Sequence, residues 1–177
     1  MEFKTWENEY PSPSEYAHFY SDYVSLVPRS NIIHTLNTQM HDFYTFINSI
    51  PGDKALAVYK QGKWTIKEIV GHLIETERVF TYRALCFSRG DRGPLPGINQ
   101  NEWMKENNYN SRTLNNLVNE YLAVRVATTH LFKTLNKEMI TKSGTADGLE
   151  FSVRALAFII AGHEIHHLNI IKEKYLQ

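Results

Sequence analysis

The residues best placed to do chemistry stand near the end of the sequence, where His163, Glu164 and His167 follow one another as H-E-x-x-H within "GHEIHH". On a helix, positions i and i+4 share a face about one turn apart, so two imidazoles so spaced can grip one metal ion. Zinc proteases use this spacing with the glutamate as general base. That chemistry needs a third ligand, usually downstream. Ten residues follow His167, and their one acid, Glu173, belongs to the same helix and cannot swing back to the ion. No strand is predicted that would hold a peptide by pairing. The motif therefore reads as a metal-binding helix without a protease, or else as two hydrogen-bonded core histidines.

If an ion is bound, the third ligand comes from upstream, and His72 in "GHLIE" is the best candidate. It stands beside Leu73 and Thr76 on an inward stripe, and Gly71 next to it would let another helix approach closely. His18, His34, His41 and His130 lack such company; His34 and His41 read as surface or core-edge residues. Three neutral imidazoles from two helices leave positions open for water or substrate, as in a catalytic rather than a structural site. Glu75, one turn beyond His72, either orients that ring or is an exposed partner for Arg78. Glu164 is either a general base or half of an ion pair at the edge of the bundle. Arg83 and Arg89 either receive an anionic substrate or are solvated.

Helices must carry these side chains. Ser30 or Asn31 can cap a first helix with the stripe Ile33, Leu36, Met40, Phe43 and Ile47, which stops before Pro51-Gly52. Thr65 and Glu68 form a capping box that opens a second helix, with Trp64 as its hydrophobic anchor and Ile69, Leu73, Thr76 and Phe80 as its stripe. Residues 88–110 show no periodicity and are too long for a connection between neighbouring helices. A third helix follows from Leu114 to Leu135. After a turn at "TKSGTADGLEFS", a fourth runs from about Ser152 to Lys174. Its inward positions are Val153, Leu156, Ile160, His163, His167, Ile170 and Lys174, with His166 on the solvent side. The pattern predicts an all-α fold, a four-helix bundle in up-down-down-up order with a long crossover between helices 2 and 3. One domain spans 1–177, residues 1–28 being an arm packed on the bundle.

With 19 basic and 19 acidic residues the formal net charge is zero, and no basic block supplies the footprint that nucleic acid requires. Neither a signal segment nor a membrane span is evident, and the single cysteine, Cys86, excludes an internal disulfide and reads as core filler. A cytoplasmic protein is expected.

In "GKWTIKEIVGHLIETERVFTYRAL" (62–85), "RGDRGPLPG" (89–97) and "SVRALAFIIAGHEIHHLNIIKEKYL" (152–176), and in their order, the chain resembles the DinB/YfiT-like superfamily of metal-binding four-helix bundles. The resemblance covers about 60–177; the first helix fits less distinctively. It implies the same bundle order, a divalent ion (nickel or zinc) held by His72, His163 and His167, and a homodimer. Relatives of this kind include thiol-dependent transferases and isomerases using bacillithiol or mycothiol, and metal-dependent hydrolases. The expectation is a low-molecular-weight-thiol S-transferase acting on a small molecule. The alternatives are a hydrolase with a metal-activated water and a non-catalytic metal-binding module.

Overall fold

The computed structural model describes residues 6–177. Four long helices carry it: α1 (Ile32–Asn48), α2 (Ile66–Ser88), α3 (Leu114–Lys133) and α4 (Val153–Ile170). Each begins where a side-chain oxygen takes up an orphan amide: Asn31 accepts from His34, Thr65 from Glu68, Thr113 from Asn116 and Ser152 from Ala155. Glu68 also accepts from the Thr65 amide at 2.7 Å, which completes the expected capping box.

Side-chain contacts set the directions of the helices. Phe43 stacks on Tyr121 while the Leu36 carbonyl, further back on α1, meets Arg125, so α1 and α3 are antiparallel. Glu77 reaches Arg125 and Thr81 reaches Thr128, so α2 and α3 run parallel. His72 meets His163 while the Tyr175 hydroxyl donates to the Trp64 carbonyl, so α4 runs against α2. The order is up-down-down-up, with the crossover between α2 and α3.

The chain before α1 packs on the bundle from Trp6, whose indole N–H donates to the Leu135 carbonyl at 3.0 Å; residues 1–5 of the expected arm lie outside the described residues. A short helix, Ser21–Ser25, lies directly on α4. Gly162 makes that approach possible, since a Cβ there would collide with the Tyr23 carbonyl oxygen. No helix among the described residues is long and apolar enough to cross a membrane.

Three local expectations are corrected. The segment taken as a plain turn is a hairpin, β1 (Ser143–Ala146) paired antiparallel with β2 (Leu149–Ser152). Its tip, Asp147-Gly148, has φ of 54° and 70°, the left-handed pair that a two-residue hairpin requires. Four-residue strands are too short to register as alternation, so only the Asp-Gly pair announced them. The crossover is not irregular throughout. It holds a helix at Gln100–Lys105 and a turn at Tyr109–Ser111, and Leu95 bridges to Ala146 beside the hairpin. Finally, α4 ends in a π-helical turn, Ile171–Tyr175. The wider turn rotates the last residues, so that Ile171 and Tyr175 are buried where the heptad spacing pointed to Lys174, which is exposed.

At mid-height the core is ionic. Arg125, 1% exposed, donates from Nε and Nη2 to the two oxygens of Glu77 (2.8 Å each) and from Nη2 to Glu164 (2.7 Å). Its Nη1 donates to Gln39 (3.0 Å) and to the Leu36 carbonyl. The Gln39 amide in turn donates to the Ala161 carbonyl. Truncating Arg125 strands two carboxylates in the core, and loss of one partner of a buried pair costs about 3–5 kcal/mol. Arg125→Ala is therefore expected to lower the urea midpoint sharply, by an amount far above that of an exposed control such as Arg89→Ala.

Candidate metal centre

The capping box at Thr65 starts α2 so that His72 falls on the side facing α4, and the i, i+4 spacing on α4 turns His163 and His167 to meet it. The His163 Nε2 stands 3.1 Å from the His72 Nε2 and 3.0 Å from the His167 Nε2. A neutral imidazole nitrogen either donates or accepts one in-plane hydrogen bond, so one Nε2 cannot serve two partners well. Two nitrogens that share an ion at about 2.0–2.1 Å each stand roughly 2.8–3.4 Å apart at angles from square to tetrahedral. The observed separations fit a shared ion, and the three ligating atoms all lie within 4.8 Å of one another.

The surroundings keep these rings neutral, the form that binds metal. Burial pulls His72 down to about 4 and His167 to about 3, the latter helped by His72 and His166. His163 is driven well below the usual imidazole range by burial and then by its three histidine neighbours. His72 and His163 are also held sideways. The Thr76 hydroxyl hydrogen-bonds Nδ1 of His72 at 3.3 Å, and the Trp64 ring packs on His72 at 4.9 Å. Tyr23 sits edge-on to His163 (5.4 Å) and to His166 (5.0 Å).

Two cavities flank the triad. One, of about 260 Å³, reaches His167 and is walled by Tyr59, Trp64, Ile69, Ile170 and Tyr175. The other, of about 200 Å³, reaches His163 between Tyr23, Thr76, Phe80, Arg83 and Asp147. The crossover roofs both: Gln100 lines the second and Asn101 the first.

The remaining candidates fall out as follows. Glu75 touches neither His72 nor Arg78. It accepts a hydrogen bond from the Tyr109 hydroxyl, and Arg78 pairs instead with Glu120. The close approach at Gly71 is made by the Tyr109 ring of the crossover rather than by another helix. Glu164 points away from the imidazoles into the core, where Arg125 and the Tyr121 hydroxyl hold it. It is an ion pair of the bundle centre, not of its edge, and burial lifts its pKa to about 7 against the pull of those two donors. His166 is half-buried beside Tyr23 rather than on the solvent side. His18, His34, His41 and His130 are exposed, and Cys86 is half-buried against the core. Arg83 is buried and lines the second cavity, whereas Arg89 is exposed, with Met139 as its contact.

The sequence reading missed Tyr23, Arg125 and Asp147. Tyr23 lies in a five-residue helix whose docking depends on Gly162. Arg125 continues the spacing Val118, Tyr121, Arg125, Thr128, Phe132, a signal that reliance on apolar letters passes over. Asp147 was marked only by the glycine after it.

A family model described as DinB superfamily matches residues 35–171. Among solved structures, YfiT from Bacillus subtilis is similar with a TM-score of 0.71 at 14% identity, over 80% of this chain and 82% of that one. YfiT is described as a probable metal-dependent hydrolase with an unusual four-helix bundle topology. No curated protein matches the chain significantly.

The imidazole environment sets a pH dependence for the metal-free protein. Unfolded histidines take up protons near pH 6.5, whereas His72 and His167 in the fold do so only near 4 and 3. The unfolded chain therefore binds protons first. The stability contributed by keeping these rings neutral is complete above about pH 6.5 and lost as the pH falls towards 4. Urea midpoints of chelator-treated protein should fall across that window, and less steeply in His72→Leu.

Proposed function

This chain belongs to the DinB superfamily, and from that membership together with the three converging imidazoles we propose that it is a divalent-metal-dependent enzyme acting on small molecules. Its most specific form is a transferase that moves a group onto a low-molecular-weight thiol. The observation that carries the proposal is the convergence of His72, His163 and His167 from two helices at a point reached by two cavities. A divalent ion held there, nickel or zinc by its three nitrogen ligands, supplies the Lewis acidity that makes a nucleophile of a thiol or a water at neutral pH.

The chain's own residues divide the remaining work. Thr76 fixes the His72 ring through Nδ1, and Tyr23 and Trp64 shield the imidazoles from bulk water. The aromatic wall of Tyr59, Trp64 and Tyr175 suits the apolar part of an electrophile on the His167 side. A thiol entering from the His163 side would bond through its sulfur to the electrophile's carbon, while the leaving group departs with the electron pair and takes up the thiol's proton. Two separate approaches to one centre favour a two-substrate transfer. The hydrolytic reading draws support from YfiT's description, and it needs one of those approaches for water alone.

Protein purified without chelator should hold one metal ion per chain by elemental analysis. His72→Ala, His163→Ala and His167→Ala should each lose most of it, and retention by all three variants would sink the site. The metal-loaded protein should conjugate a thiol-reactive electrophile with bacillithiol or a related thiol. No metal-dependent turnover with thiols, esters or amides would leave a binding module.

Glu164 gives a second test. Were the motif used as in zinc proteases, Glu164→Gln would abolish turnover. Because Glu164 is sealed in the core against Arg125 and Tyr121, the variant should keep its metal and lose less than about ten-fold in kcat/KM, whereas loss of a general base costs roughly 10²–10⁴-fold.

A further inference from the structure

Arg83 is a buried cation without an ion pair. It is 3% exposed, yet no carboxylate among the described residues lies within salt-bridge distance of it. One N–H of Nη2 goes to the Pro96 carbonyl at 3.1 Å, the one hydrogen bond its guanidinium makes among the described residues. The guanidinium lies about the faces of Phe80 (5.5 Å) and Phe151 (6.0 Å), which hold it in place without neutralising it. No buried side-chain nitrogen in the described residues lacks a partner, so the other donors of the fork open into the cavity rather than into packed protein. A buried charge left in this state is costly unless a ligand completes it.

That cavity is the one that reaches His163. Along α2, His72, Thr76, Phe80 and Arg83 lie on one face, and a helical side chain leans towards the N-terminus, so the arginine tips back towards the triad. We propose that Arg83 anchors a carboxylate of the substrate, so that the site takes a small carboxylic acid whose reacting end extends from Arg83 to the three imidazoles. The eleven residue steps from His72 to Arg83 span about 16 Å of helix axis, less the arginine's lean, so the carboxylate and the reacting atom are several bonds apart.

Charge selects a monoanion. Asp147, exposed at the rim on the hairpin tip, adds a negative charge near the single positive one. A carboxylate matches the planar fork of the guanidinium one charge to one, whereas a phosphate dianion would bring two negative charges to a single cation that Asp147 already faces. The position of Arg83 as substrate anchor rests on the metal-dependent reading of the triad, but its affinity for carboxylate does not, and the two can be tested apart.

The experiment uses the full chain stripped of metal and dialysed, with butyrate, butyramide and inorganic phosphate as probes and the Arg83 Nε–H resonance as readout. Butyrate should shift that resonance saturably, butyramide should not, and phosphate should bind more weakly than butyrate. Arg83→Met, which removes an unpaired buried cation and should fold at least as well as the parent, should weaken butyrate binding about ten-fold or more, read on the Thr76 amide. Asp147→Asn, at the exposed rim, should tighten it about three-fold. Butyrate binding that survives in Arg83→Met, equal binding of butyramide, or preference for phosphate would overturn the proposal. If butyrate binds as expected while the metal-loaded protein turns nothing over, the catalytic reading falls and the anion site stands.

Discussion

Arg125 places a full positive charge at the centre of the bundle, and its five N–H groups all find acceptors there: two oxygens of Glu77, one of Glu164, the Gln39 amide oxygen and the Leu36 carbonyl. Removing such a charge from water costs several kcal/mol, which only a complete and well-formed set of partners offsets. Those partners come from α1, α2 and α4, while Arg125 itself is on α3. A rotation or slip of any one helix would leave a buried polar group unmatched. Greasy contacts tolerate small slides; this network does not.

The three-histidine cluster inherits that constraint. Glu164 follows His163 directly, so pinning the carboxylate against Arg125 and Tyr121 sets the rotation of α4 and aims His163 about 100° away towards His72. Glu77 does the same for α2, directly after Thr76 and five residues beyond His72. The ionic layer and the imidazole layer are thus two faces of the same helices, one polar and sealed, the other polar and reached by cavities.

Outside the four helices, the fold closes around the imidazoles with pieces that have little structure alone. The arm is held by Trp6 and Val24 and brings Tyr23 onto His163 and His166. The crossover supplies Gln100 and Asn101, and the hairpin places Asp147 at the rim beyond Arg83. Burial by these segments, more than any charge, holds His72 and His167 neutral at ordinary pH.

What the sequence determined by itself was periodic or local. The helical spacing of apolar residues, the Thr65–Glu68 capping box and the length of the crossover were enough for four helices in up-down-down-up order. The i, i+4 pair of His163 and His167, joined to His72 on an inward stripe, was enough to single out the three imidazoles that converge. Tertiary structure decided whatever depended on a partner far along the chain. Whether Glu164 served the ion or the core turned on Arg125, and Glu75 was claimed by Tyr109 rather than by His72. Arg83 could be read as solvated until the hairpin and the arm covered it. A helix has two adjacent seams when it is buried nearly all round, as α4 is, and the letters of one seam do not say which neighbour each will face.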